Sequence, residues 1–88
     1  MTLEALFLLS KTIIKNERGT EESDILPIWS YNGLSNGMRA LFRIKDTNIY
    51  YEVVHFPLSR EISFRCFEQL DSGRYERVGN TIRRIYTP

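Results

Sequence analysis

The sequence predicts an α+β fold: an N-terminal helix packed on one face of a four- to five-stranded antiparallel meander sheet. Three observations carry this. Apolar residues recur at three- and four-residue steps near the N-terminus, at Leu3, Leu6, Phe7, Ile13 and Ile14. From Met38 the period switches to two, so that Met38, Ala40, Phe42 and Ile44 alternate with Arg39, Leu41, Arg43 and Lys45. The periodic segments after that point are separated by short runs of turn-forming residues, KDTN, FPLSR and DSG. Helix and strands are therefore segregated along the chain.

The helix is expected over residues 2–18. Thr2 suits the N-cap, and Glu4 suits the positive end of the helix dipole. Lys11, Lys15 and Arg18 gather toward the other end, and Gly19 is a natural stop. Leu8 and Leu9 widen the apolar stripe beyond what one sheet needs, which points to cover from a second side, such as another copy of the chain. Residues 19–37 form a linker and an edge segment. GTEESD is a polar, acidic loop. ILPIWSY suits an edge strand only, because Pro27 cannot donate to a ladder. NGLSNG turns; without a following Gly-Lys-Ser/Thr it is no phosphate cradle.

The sheet is expected over 38–86. Its later strands are Asn48 to Phe56, Glu61 to Leu70, and Arg74 to Tyr86, the last either one strand or two. Gly79-Asn80 marks a bulge or a second tight turn. The 88 residues make one domain, residues 1–88. At this length folding buries roughly 60–65 % of the chain's surface, enough for one modest core. Five Phe, five Tyr and one Trp supply much of it.

The net charge is +1, which argues against a dedicated duplex-DNA binder. The charge is uneven: residues 1–37 are net acidic and residues 38–88 net basic, the latter mostly through arginine. Arginine favours planar and stacked contacts, hence recognition. The one cysteine, Cys66, allows no intrachain disulfide and fits a reducing, cytoplasmic setting. The N-terminal segment lacks the basic start and long apolar run of a signal peptide. No stretch approaches the ~20 apolar residues of a membrane span.

The KDTN turn sets Arg43 beside Tyr50 and Phe42 beside Tyr51. Keeping one dry face then places Cys66 beside Tyr51 and Phe67 beside Tyr50. A three-residue DSG loop adds Arg77 beside Phe67. The wet face thus carries a row of Arg43, Tyr50, Phe67 and Arg77, next to a row of Leu41, Glu52 and Arg65. This register also sets Glu68 near Glu76 on the supposedly dry side, which like charges disfavour. A two-residue SG loop would instead pair Glu68 with Arg77 and break the aromatic row.

Arg43, Tyr50, Phe67, Arg77 and Arg65 are therefore the candidate binding residues, together with Trp29. The Trp29 indole either caps the end of the core or, if exposed, becomes the strongest hot-spot candidate. Such a face resembles the base-stacking sheets of RNA-recognition folds by analogy alone; no RNP-type motif is present.

Catalytic chemistry is not indicated. His55 and Cys66 fall on the dry face about 13 Å apart, too far for a thiolate–imidazolium dyad. One Cys and one His fall short of a four-ligand zinc site. Glu17, Glu21, Glu22 and Asp24 lack the spacing of a calcium loop. Neither a cofactor nor a metal is expected.

The sequence thus points to a small non-catalytic, protein-binding or regulatory domain acting through a sheet face or a dimer surface. Its compactness suits an inhibitor of the kind phages and mobile elements encode. The alternatives are a single-stranded nucleic-acid binder using Arg and aromatic residues on the open face, and an accessory subunit of an enzyme.

Overall fold

A computed structural model describes residues 1–87. Helix α1 (Leu3–Arg18) leads into β1 (Ile25–Asn32), β2 (Met38–Ile44), β3 (Ile49–Phe56), β4 (Glu61–Gln69), β5 (Tyr75–Arg77) and β6 (Ile82–Ile85). The α+β class and the meander order are as the periodicity requires. The strand count is six rather than four or five. The added strand arises because the ILPIWSY segment pairs along its length with β2, while the last segment splits in two.

Local chemistry accounts for the ends of the helix. The Thr2 hydroxyl accepts from the Ala5 amide at 3.0 Å, satisfying one of the first-turn donors. Gly19 closes the helix at φ +68° and donates to the Lys15 carbonyl. Leu6, Ser10 and Ile14 form the buried inner stripe of the helix. Across from it lie Ala40, Phe42, Tyr51, Val53, Ile62, Phe64 and Cys66 of the sheet, all buried. Phe7 meets Phe42 edge-on, with ring centroids 5.4 Å apart. The sheet covers one side of α1, and Leu8 on the outer side is 64 % exposed.

The ladder follows the expected register. Phe42 faces Tyr51 and Arg43 faces Tyr50. Tyr51 faces Cys66 and Tyr50 faces Phe67. The hairpin after β4 has the three-residue loop Asp71–Gly73: the Leu70 amide donates to the Arg74 carbonyl, and Gly73 adopts φ +88°. Phe67 therefore faces Arg77, and Glu68 does face Glu76. Those two acids are not sealed on a dry side. Both are exposed at one end of the sheet, where water screens their repulsion.

β5 and β6 form one interrupted outer strand on β4. Phe67 pairs with Arg77 and Phe64 with Ile82, so three steps along β4 correspond to five along its neighbour. The break spans Val78–Thr81 and includes Gly79 at φ +71°. The insertion is of two residues, and side chains alternate with a period of two, so facing is conserved across it. Arg77 and Arg83 consequently stay on the same face of the sheet as Phe67 and Ser63.

Candidate functional site on the open sheet face

The face turned away from α1 is assembled by one irregularity. Ile25 and Pro27 share the inward parity of β1, opposite Ile44 and Phe42, and uninterrupted alternation would send Trp29 the same way. The register instead shifts between Pro27 and Trp29, leaving Ile28 unpaired and setting Trp29 opposite Leu41. A bulge of this kind re-aims the side chains beyond it. Trp29 is therefore not a core cap; it stands on the open face, 45 % exposed.

Trp29, Leu41, Tyr50, Glu52, Phe67 and Tyr75 line a shallow, mainly apolar groove of about 310 Å³. Tyr50 and Tyr75 meet edge-on with centroids 5.4 Å apart, and the Tyr50 hydroxyl donates to Gln69 Oε1 at 3.4 Å. The arginines frame the aromatics. The Arg43 guanidinium lies 5.8 Å from the Tyr50 ring centre and is held there by its Nε, which donates to the Thr47 carbonyl at 2.9 Å. Arg77 lies 6.0 Å from the Phe67 ring centre and also donates to the Thr81 hydroxyl.

The two acids of this face are each engaged by an arginine. Glu52 Oε1 is 3.9 Å from Arg65 Nη1, and Glu61 Oε1 is 3.1 Å from Arg83 Nε. Both pairs are solvent-accessible, so they set local charge more than stability. Arg39, Arg43 and Arg77 form no ion pair among the described residues, leaving the face net positive.

All six expected binding residues lie on this one face. Trp29, Tyr50 and Phe67 line the groove, Arg43 and Arg77 flank it, and Arg65 adjoins it through Glu52. Tyr75 is a further residue of the groove; its place two residues before Arg77 gives it the same facing once the hairpin loop has three residues. Leu41, which strand parity puts on this face, also lines the groove.

The inward face offers a different chemistry. Tyr51 and Cys66 are cross-strand partners, and His55 pairs with Ile62, four positions further along β3. Burial lowers the His55 pKa below the usual imidazole value, with the N-terminal charge adding to the effect. Burial also raises that of the Tyr51 phenol, against the Arg18 guanidinium, which donates to the Tyr51 oxygen at 3.4 Å. Arg18 approaches Cys66 Sγ at 3.9 Å. Among the described residues no three His, Cys, Asp or Glu side chains gather as a metal site, and no helix is long and apolar enough to cross a membrane.

Protein-family models, curated proteins and solved structures give no match to this chain.

Proposed function

We propose that the chain is a non-catalytic protein-binding domain whose contact surface is the groove of Trp29, Leu41, Tyr50, Phe67 and Tyr75 with its arginine rim. The supporting observation is the company Trp29 keeps. An exposed indole beside two tyrosines and a phenylalanine, flanked by guanidiniums, is the side-chain set that dominates binding energy at protein interfaces. The regulatory or inhibitory role expected from the sequence follows from such a domain if its partner is an enzyme or a receptor.

The sheet edges are poorer docking sites. β1 carries Pro27, which lacks a donor, and a bulge beside it. The opposite edge is broken at Val78–Thr81. Both features discourage strand addition. Base stacking by a single-stranded nucleic acid is also less favoured. Arg43 and Arg77 already lie against Tyr50 and Phe67, and displacing each guanidinium forfeits roughly 0.5–1 kcal/mol.

Affinity capture with the tagged chain from an extract of its source cells tests the proposal. A stoichiometric protein partner is expected, retained by Lys15→Ala on the helix and lost by Trp29→Ala/Phe67→Ala. Each aromatic truncation at a hot spot costs about 2 kcal/mol or more of binding energy. Capture that ignores the double variant contradicts the reading. Capture of nucleic acid that falls steeply with salt and is lost with Tyr50→Ala moves the function to the alternative.

A further inference from the structure

A second concavity lies on the same face, away from the aromatic groove. It measures about 360 Å³ and is lined by Phe56, Ser59, Glu61, Ser63, Arg65, Thr81 and Arg83. Its centre is four residues along β4 from Phe67, roughly 13 Å at the rise of a strand. We propose that this pocket binds a phosphomonoester group, and that it does so independently of the groove's protein partner.

Ser63 is 4 % exposed, and its Oγ has no partner among the described residues. A buried hydroxyl left unpaired is costly, and a native structure retains few of them. The other two hydroxyls of the pocket each accept one hydrogen bond from the protein. Ser59 Oγ accepts from the Glu61 amide at 3.3 Å, and Thr81 Oγ1 accepts from Arg77. Each keeps its own proton to donate. The residues lining this one pocket thus carry three hydroxyls and two guanidiniums, with the Ser63 hydroxyl at its buried floor.

The guanidiniums are only partly committed. Glu61 engages Arg83 through Nε at 3.1 Å, which leaves both terminal amino groups of that fork. Arg65 lies 3.9 Å from Glu52 through one terminal nitrogen, a long and weak contact. A surplus of donors around a concave site calls for a ligand that only accepts. A terminal phosphate meets this with three oxygens and close to two negative charges. A phosphodiester carries one charge and must leave the pocket at two points. Glu61 is the opposing group: its carboxylate shares the pocket and holds Arg83, so it must yield part of that contact when the ligand enters.

The test is a titration of the full chain with inorganic phosphate, glycerol phosphate and a phosphoserine tripeptide at constant ionic strength, followed by backbone amide NMR. Saturable shifts centred on Ser59, Ser63, Thr81 and Arg83 are expected. Arg83→Ala should weaken binding about tenfold or more, the usual consequence of losing a charge-assisted contact. Ser63→Ala should weaken it severalfold while leaving the unfolding midpoint unchanged or higher, since the lost hydroxyl has no protein partner. Glu61→Gln should tighten binding, and Trp29→Ala should leave it unaltered.

Preference for the tripeptide over glycerol phosphate assigns the group to a modified protein, and the reverse preference to a small metabolite. Shifts spread over all arginines and indifferent to Ser63→Ala and Arg83→Ala would overturn the proposal. Binding of dimethyl phosphate as tight as that of the monoesters would do so too. The protein-binding reading survives either failure.

Discussion

Phe42→Ala is expected to destabilise the fold by about 3–5 kcal/mol, the range for removing a fully enclosed aromatic ring. Phe42 has no solvent exposure, sits in the middle of β2, and meets Phe7 of the helix edge-on. No rearrangement of one helix on one sheet can refill that volume. Domains of this size have roughly 5–10 kcal/mol to lose in total, so the variant approaches the unfolding threshold under ordinary conditions. The comparison that gives the result meaning is Leu41→Ala, one residue earlier and on the opposite face. Its side chain is only partly buried and should cost about 1 kcal/mol. Urea denaturation of the two variants beside the parent measures both. Equal losses would mean that both faces are core, contrary to the layering described.

Gly37→Ala is the second large effect, through the backbone and not through buried area. Gly37 precedes β2 at φ +95° and ψ 171°, a region that residues with a Cβ do not occupy without strain. A methyl group there would also collide with the His55 carbonyl oxygen, a backbone atom of the neighbouring strand. Conformational strain and collision act together, for a cost of about 3 kcal/mol or more. Gly19→Ala supplies the control. It too has positive φ, but the added Cβ meets nothing within 4 Å, so the expected cost is only about 1 kcal/mol. Thermal unfolding should rank Gly37→Ala far below Gly19→Ala; equal midpoints would contradict the close approach of β3 to this turn.

The Arg43–Tyr50–Phe67 part of the aromatic row was readable from the sequence because the KDTN turn and the shared dry face fixed it, whereas Arg77 joined it only under the three-residue reading of DSG. The KDTN turn aligned β2 with β3, and the three-residue DSG loop aligned β4 with β5. The parity of Met38, Phe42, Tyr51 and Cys66 then left little freedom to the rest. Glu68 and Glu76 argued locally for another register, but they lie where the sheet's end is exposed, and two screened carboxylates cannot outweigh an entire dry face. Trp29 was not readable to the same degree. Pro27 marked an edge, yet nothing in ILPIWSY announces which residue a bulge will eject, and a single unpaired Ile28 decides the facing of everything after it.

The last strand shows why Gly79-Asn80 could be identified as a break but not resolved further. A one-residue bulge would reverse the facing of Arg83, whereas the two-residue insertion conserves it. The donor pocket was least legible. Ser59 belongs to a turn, Ser63 and Arg65 to β4, and Thr81 and Arg83 to the interrupted strand. No spacing along the chain brings those together; only the pairing of β4 with β6 does.

Binding at this face requires a groove left open to solvent in the isolated chain, and Trp29, the single tryptophan of the sequence, reports on it. Its fluorescence should be quenched readily by acrylamide in the folded protein, only moderately less than after unfolding in urea. Blue-shifted emission that acrylamide scarcely quenches in the dilute native protein would place the indole in an enclosed apolar site and contradict the open face.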